Sequence, residues 1–146
     1  MKNFLDLLDI NPTIEINIVL TPIVDNGFPT AIIRYNNVIV FDYALRETVS
    51  IRVEHLNILD PLKISIELAH KKYNEKLETA IIINSLTIDN FEIVPNYTQL
   101  ATYSNDHNSI NPTNYLGFNG VWELDIPAPF YQWMHEVQGQ GWLIIK

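Results

Sequence analysis

The sequence predicts an all-β fold: a single-domain antiparallel β-sandwich, jelly-roll-like, with about eight to ten strands. Two observations support this prediction. Short segments in which apolar and polar residues alternate recur along the chain, and turn-forming pairs such as Asp60-Pro61 separate them. No long segment shows a convincing helical spacing of apolar residues.

The elements follow from this alternation. Residues 1–12 are expected to form an N-terminal arm or a short helix, and residues 13–146 the sandwich domain. Pro22 should close the first strand, because proline cannot donate to a sheet ladder. Asn36-Asn37 and Asp89-Asn90 are predicted hairpin turns, because these residues tolerate positive φ. Strands are predicted at residues 13–21, 31–35, 38–43, 48–54, 62–68, 79–84, 86–89, 91–94, 121–126 and 142–145, with 99–103 as a further candidate and 70–78 as a polar loop.

The strand at residues 121–126 has a predicted register. Alternation places Trp122, Leu124 and Ile126 in the core and leaves Glu123 and Asp125 in water. The opposite register would bury two carboxylates with no neighbouring cation, at a cost of several kcal/mol for each charge.

All three tryptophans and four of the five glycines lie in residues 111–146. The segment 130–137 fits either a short helix or an irregular strand, and 142–145 is predicted to be a terminal strand. Trp142 is expected in the core. Two positions fit Trp133 equally well. It could lie in the core, or it could form an exposed aromatic platform with Tyr131, two residues away.

Composition excludes several classes of protein. The chain has 146 residues and a net charge of −8. It has no cysteine, so disulfides and thiolate metal sites are excluded. Between Lys76 and Lys146 there are seven acidic residues and no lysine or arginine, which argues against nucleic-acid binding. No apolar run is long enough to span a membrane, and Asp6 and Asp9 interrupt any signal-peptide core, so no secretion signal is expected.

No catalytic motif is present, and the chain is predicted not to be an enzyme. Glu123 and Asp125 would share one strand face about 7 Å apart, a spacing that approaches that of inverting glycosidases. A pair of solvent-facing acids on a strand is, however, an ordinary surface feature. The four histidines are isolated in the sequence and are expected to be solvated.

Oxygen-rich turns and late aromatic residues indicate a second type of site. Asp25, Asp89 and the segment 105–108 offer the hard oxygen atoms that calcium prefers, although turn chemistry explains the same residues. No metal site is predicted; calcium is retained only as the cation that these loops would suit. The candidate ligand-binding residues are Tyr103, Asp106, Tyr131 and Trp133.

The segments WELDIPAPFYQW and GQGW complete a chain that resembles two groups of β-sandwich proteins. These are the small accessory or adaptor proteins of tailed-phage virions and the carbohydrate-binding modules. The first resemblance implies a structural component of a phage-like virion that contacts other structural subunits or copies of itself, in the virion or in the host cytoplasm. We take this as the leading hypothesis. The alternative is a glycan-binding module, calcium-dependent in one version.

Overall fold

The computed structural model describes residues 13–57, 61–127 and 129–145, with side chains for all of these except 13, 55–57 and 140–145. The predicted N-terminal arm, residues 1–12, lies outside the described residues. In the described part of the chain, two antiparallel sheets pack as a sandwich, so the predicted fold class is confirmed. No helix among the described residues is long and apolar enough to cross a membrane.

Eleven strands, one short 3₁₀ helix and one α-helix make up the described elements. In chain order they are β1 (Thr13–Val24), β2 (Thr30–Tyr35), β3 (Val38–Ala44), β4 (Val49–Asn57), β5 (Leu62–Ala69), β6 (Thr79–Ile88), β7 (Phe91–Val94), the 3₁₀ helix (Thr98–Leu100), β8 (Ala101–Ser104), β9 (Ser109–Ile110), β10 (Tyr115–Leu116), β11 (Gly120–Ile126) and α1 (Phe130–Ile145).

The first sheet has the order β10-β6-β1-β4. Its fifth strand, β7, pairs with β6, as β10 does. The second sheet has the order β3-β2-β5-β11-β8-β9. Alternate side chains of both sheets point inward and form one apolar core, in which residues such as Ile18, Ile66 and Trp122 are almost completely buried. Each fully buried aliphatic side chain contributes about 1.5–3 kcal/mol.

Both predicted hairpin turns are confirmed. Asn36 and Asn37 have φ values of 47° and 70°, and Asp89 and Asn90 have 51° and 70°, as two-residue turns of this type require. The candidate strand at residues 99–103 is present in part as β8, which begins at Ala101 and ends at Ser104, while residues 99 and 100 belong to the 3₁₀ helix. The predicted strands 79–84 and 86–89 are one strand, β6, with a register shift opposite Val19 and Leu20 of β1.

The prediction that Pro22 ends the first strand is wrong, because β1 continues to Val24. Strand β4 pairs with β1 only as far as Leu20, where Val49 lies opposite. Beyond that point β1 has a neighbour on one side only, so the missing N–H of Pro22 removes no bond to β4.

The predicted terminal strand at 142–145 is also wrong, as is the irregular-strand alternative for 130–137. One α-helix of 16 residues, α1, runs through both segments. Its residues Phe130, Trp133 and Val137 are three and four positions apart, so they share one buried helix face. Gly139 and Gly141 disfavour a helix and concealed this pattern in the sequence. The predicted core position of Trp142 lies outside the described side chains.

The predicted register of β11 is confirmed. Trp122, Leu124 and Ile126 are buried. Asp125 is exposed, and Glu123 is half-buried with a carboxylate oxygen 3.1 Å from Lys63 Nζ. This pair lies on the outer face of the second sheet, where one cation opposite a single carboxylate is an ordinary surface ion pair.

Candidate functional site

Three loops meet at one end of the sandwich, which we call the loop end. They are residues 70–78 after β5, residues 105–108 after β8, and residues 117–119 before β11. Strands β5 and β8 both pair antiparallel with β11, so the ends of β5 and β8 lie beside the start of β11. The three connections therefore emerge at the same end of the strands. Helix α1 lies at the opposite end, since β11 runs from Gly120 at the loop end to Ile126 next to the helix.

Asn119 joins the three loops. Its side-chain Oδ1 accepts a hydrogen bond from Lys71 N at 2.8 Å, and its Nδ2 donates to Lys71 O at 3.0 Å. Asn105 Nδ2 donates to the main-chain oxygen of Asn119 at 2.9 Å, and the main-chain N–H of Asn119 donates to the hydroxyl of Tyr73 at 2.9 Å. One residue therefore fixes the position of all three loops.

A second network lies beneath this junction. Lys71 Nζ donates to Glu78 Oε1 and to Gly117 O, both at 2.5 Å, and the lysine side chain is almost completely buried. The other oxygen of Glu78 accepts the hydroxyl of Tyr115 at 2.8 Å. The hydrogen bond from Lys71 is the main reason that the pKa of Glu78 lies below its ordinary value. Burial, and then the bond to Glu78, raise the pKa of Tyr115 to about 12.

Tyr73 presents an exposed aromatic ring on the loop 70–78. Its side chain is 64% exposed, yet its hydroxyl is held by Asn119 N and the ammonium of Lys71 lies 5.2 Å from the ring centroid. An aromatic ring that is fixed at its tip and open to solvent is suited to stacking on a flat, partly apolar ligand. The polar groups around it are amides and charged side chains.

Tyr103, a predicted ligand-binding residue, belongs to the support of this site and not to its surface. It is fully buried and stacks on Phe118 with ring centroids 4.3 Å apart. Its hydroxyl donates to Phe118 O and accepts from Phe118 N. Burial raises the pKa of Tyr103 well above its ordinary value. The prediction that Tyr103 faces a ligand is therefore wrong, although it holds the loop 117–119 in place.

The predicted aromatic platform of Tyr131 and Trp133 is not formed. On helix α1, residues two positions apart point in different directions, and Trp133 packs edge-on against Phe91 with only 9% of its surface exposed. Tyr131 is 39% exposed and donates its hydroxyl to Asp89. Both lie at the helix end, so the structure does not bring them together with Asp106.

Asp106 is exposed at the loop end, in a turn that Asn105 organises. Asn105 Oδ1 accepts hydrogen bonds from the main-chain N–H groups of His107 and Asn108, both at 2.8 Å. This is the turn chemistry that the sequence offered as the alternative to a metal site. Among the described residues no group of three or more histidine, aspartate or glutamate side chains is arranged to hold a metal ion. The oxygen-rich turns therefore do not fit a calcium site built from clustered carboxylates.

Sequence reasoning missed both Tyr73 and Asn119. The segment HKKYNEKLE, residues 70–78, is predicted to be a polar loop, and the signal within it is a single aromatic residue among mainly polar and charged neighbours. An aromatic residue in such a setting has no core to fill, which favours an exposed position. Asn119 gave no signal, because its partner Lys71 lies 48 positions away in the chain.

The structure is thus a β-sandwich whose loop end carries an exposed tyrosine ring among amide and charged side chains. Two solved structures share this fold. One is vCBM60 in complex with galactobiose, with a TM-score of 0.53 and 11% identity, covering 77% of this chain and 99% of that chain. The other is the selenomethionine form of vCBM60, with a TM-score of 0.51 and 7% identity, covering 76% and 89%.

The description of the second structure states that circular permutation provides an evolutionary link between two families of calcium-dependent carbohydrate binding modules. At these identities the likeness is one of fold. No protein-family model matches the sequence, and no curated protein matches it significantly. These comparisons give no support to the resemblance to tailed-phage accessory proteins.

Proposed function

We propose that this protein is a glycan-binding module without catalytic activity, and that it holds a saccharide at the loop end. The observation that carries the proposal is the ring of Tyr73, which is exposed while its hydroxyl is fixed by Asn119. A sugar ring presents axial C–H groups to an aromatic face and hydroxyls to surrounding polar groups. Groups that are held in position before the ligand arrives bind it with little reorganisation.

The fold supports this hypothesis over the virion hypothesis, since the two similar solved structures are of a carbohydrate-binding module. The absence of catalysis is supported by the paired carboxylates Glu123 and Asp125. They lie on an open strand surface away from the loop end, and Glu123 is engaged by Lys63. No step of the proposed binding passes through calcium, because the described residues contain no cluster of three or more histidine or acidic side chains.

Binding to a glycan array, followed by calorimetry with galactobiose or the best array ligand, tests the proposal. We expect Tyr73→Ala to weaken binding at least about tenfold, roughly 1.4 kcal/mol. The matched control is Tyr131→Ala, an exposed tyrosine at the helix end, which should leave affinity unchanged. Each titration is repeated with a chelator. Binding that is lost in Tyr131→Ala and retained in Tyr73→Ala would place the site at the helix end and refute the assignment.

A second candidate function, assembly through protein contacts, has one observation in its favour. Strand β3 forms an edge of the second sheet, and an open sheet edge invites pairing with another strand. Four of its large side chains are exposed: Val38, Ile39, Val40 and Tyr43. Light scattering measures the molar mass of the wild type and of Ile39→Lys in solution. This candidate requires that the wild type assembles and that the lysine disrupts the assembly. A virion or host-cytoplasmic location, and the partners it implies, stay predictions.

A further inference from the structure

Most of the lysine and arginine side chains among the described residues have an acidic or aromatic partner. Four cations form ion pairs with acidic side chains at 3.1 Å or less: Arg34 with Glu67, Arg52 with Glu15, Lys63 with Glu123, and Lys71 with Glu78. Arg46 lies over the ring of Phe28, with its guanidinium carbon 5.1 Å from the centroid. These cations are therefore engaged within the protein.

Lys72 and Lys76 differ from the others. Both are exposed, and no ion pair to either is found within the described part of the chain. They lie on the loop 70–78, one position before Tyr73 and three positions after it. In a protein with a net charge of −8, two exposed cations without an acidic partner among the described residues thus stand beside the ring of Tyr73.

The local charge of this loop is opposite to that of the remaining chain. Residues 70–78 contain three lysines and two glutamates, a balance of +1, which leaves −9 for the other residues. Glu78 is occupied by Lys71 and Tyr115, so Glu75 is the only other acid on the loop. Asp25 and Asp106 are exposed on neighbouring loops.

The main chain holds the two lysines in place and leaves their ammonium groups in water. Asn26 Nδ2 donates to Lys72 O at 2.9 Å, and Lys76 N donates to Asn74 Oδ1 at 2.8 Å. A long lysine side chain on a fixed backbone reaches an anion without rearrangement of the loop. Because the ammonium is exposed, its attraction should weaken with added salt.

We propose that the loop end selects saccharides that carry an anionic group, a uronate carboxylate or a sulfate ester. Tyr73 contacts the sugar ring, and Lys72 and Lys76 contact the anion. This inference rests on the proposed glycan binding and adds the class of saccharide to it. The selectivity arises because a neutral sugar gains only the contact to the ring and the amides, whereas an acidic sugar also gains the two cations.

The test compares three ligands of equal length by calorimetry: a trigalacturonate, a sulfated galactotriose and neutral galactotriose. We expect at least one anionic ligand to bind fivefold or more tightly than the neutral one, with the preference reduced at 0.5 M salt. The double variant Lys72→Gln/Lys76→Gln should lose that preference while its affinity for galactotriose stays within twofold. The control Arg52→Gln/Lys63→Gln removes the same charge at sites away from the loop end and should keep the preference.

The outcomes separate the two proposals. Equal or tighter binding of galactotriose overturns the anionic selectivity and leaves glycan binding intact. If the control variant loses the preference for anionic ligands as well as the loop variant, the preference depends on net charge alone. This result also overturns the anionic selectivity of the loop end. No binding of any saccharide, on the array or by calorimetry, refutes the proposed function itself. A carboxylate-only or sulfate-only preference supports the inference and identifies the anion.

Discussion

Replacing Trp122 by alanine is the most direct test of the core register. The side chain is fully buried between the sheets, and its Nε1 donates to Thr113 O at 3.1 Å. A buried tryptophan covers about 200 Å² of surface, and at about 25 cal/mol per Å² its loss removes up to roughly 5 kcal/mol. Measured truncations of this kind cost about 3–5 kcal/mol, which is a large part of a typical total stability of about 5–15 kcal/mol.

Urea denaturation followed by circular dichroism gives the free energy of unfolding for each variant. Trp122→Ala should also lower the thermal midpoint by roughly 10–20 °C, or prevent folding at 37 °C. Glu123→Gln is the control on the same strand, one position away and on the opposite face. Its ion pair with Lys63 is about 40% exposed on both sides, so the change should cost no more than about 1 kcal/mol. If Glu123→Gln proves the more damaging of the two, the register and the core assignment are wrong.

Two further outcomes are expected at the loop end. Asn119→Ala removes both side-chain bonds to Lys71 and should cost about 1–3 kcal/mol in urea denaturation, whereas Asn74→Ala, which breaks an exposed local turn, should cost less. The folded-state pKa of Glu78 is lowered, so its contribution to stability is present above its unfolded value near 4.5 and is lost as the pH falls through the folded value. Glu78→Gln should therefore flatten the fall in stability below pH 4.5. Glu15, whose pKa is also lowered, chiefly by Asn17, remains in both proteins, so an unchanged slope would contradict the role of Glu78.

The sandwich could be predicted because several of its strands have one buried face and one face in contact with water. Alternation in β1, β5 and β11 is a direct record of that geometry, and burial energetics fixed the register without knowledge of the neighbours. Helix α1 was predicted only in part: a short helix was one of two alternatives for residues 130–137, and 142–145 were expected to form a strand. Tyr131 and Trp133 were compared at the spacing of a strand, whereas the relevant spacing joins Phe130 to Trp133 and Val137.

The loop end could not be predicted from the sequence, because long-range pairing creates it. Asn119 meets Lys71, and Tyr103 meets Phe118, only after β5, β11 and β8 have been placed side by side. No spacing rule along the chain encodes such a meeting. What the sequence did contain was the lone aromatic residue Tyr73 among lysines and amides, a pattern that favours exposure without showing what surrounds the ring.

The junction at Asn119 has a consequence for the motions of the protein. The amide protons of Lys71, Asn119 and His107 are each held within one connected set of hydrogen bonds, although they belong to three separate loops. A loop in this set cannot open alone without breaking bonds that belong to the others. Local opening should therefore be cooperative, and in native-state hydrogen exchange these three amides should share one opening free energy. The exposed end of the sandwich would then fluctuate as a single unit.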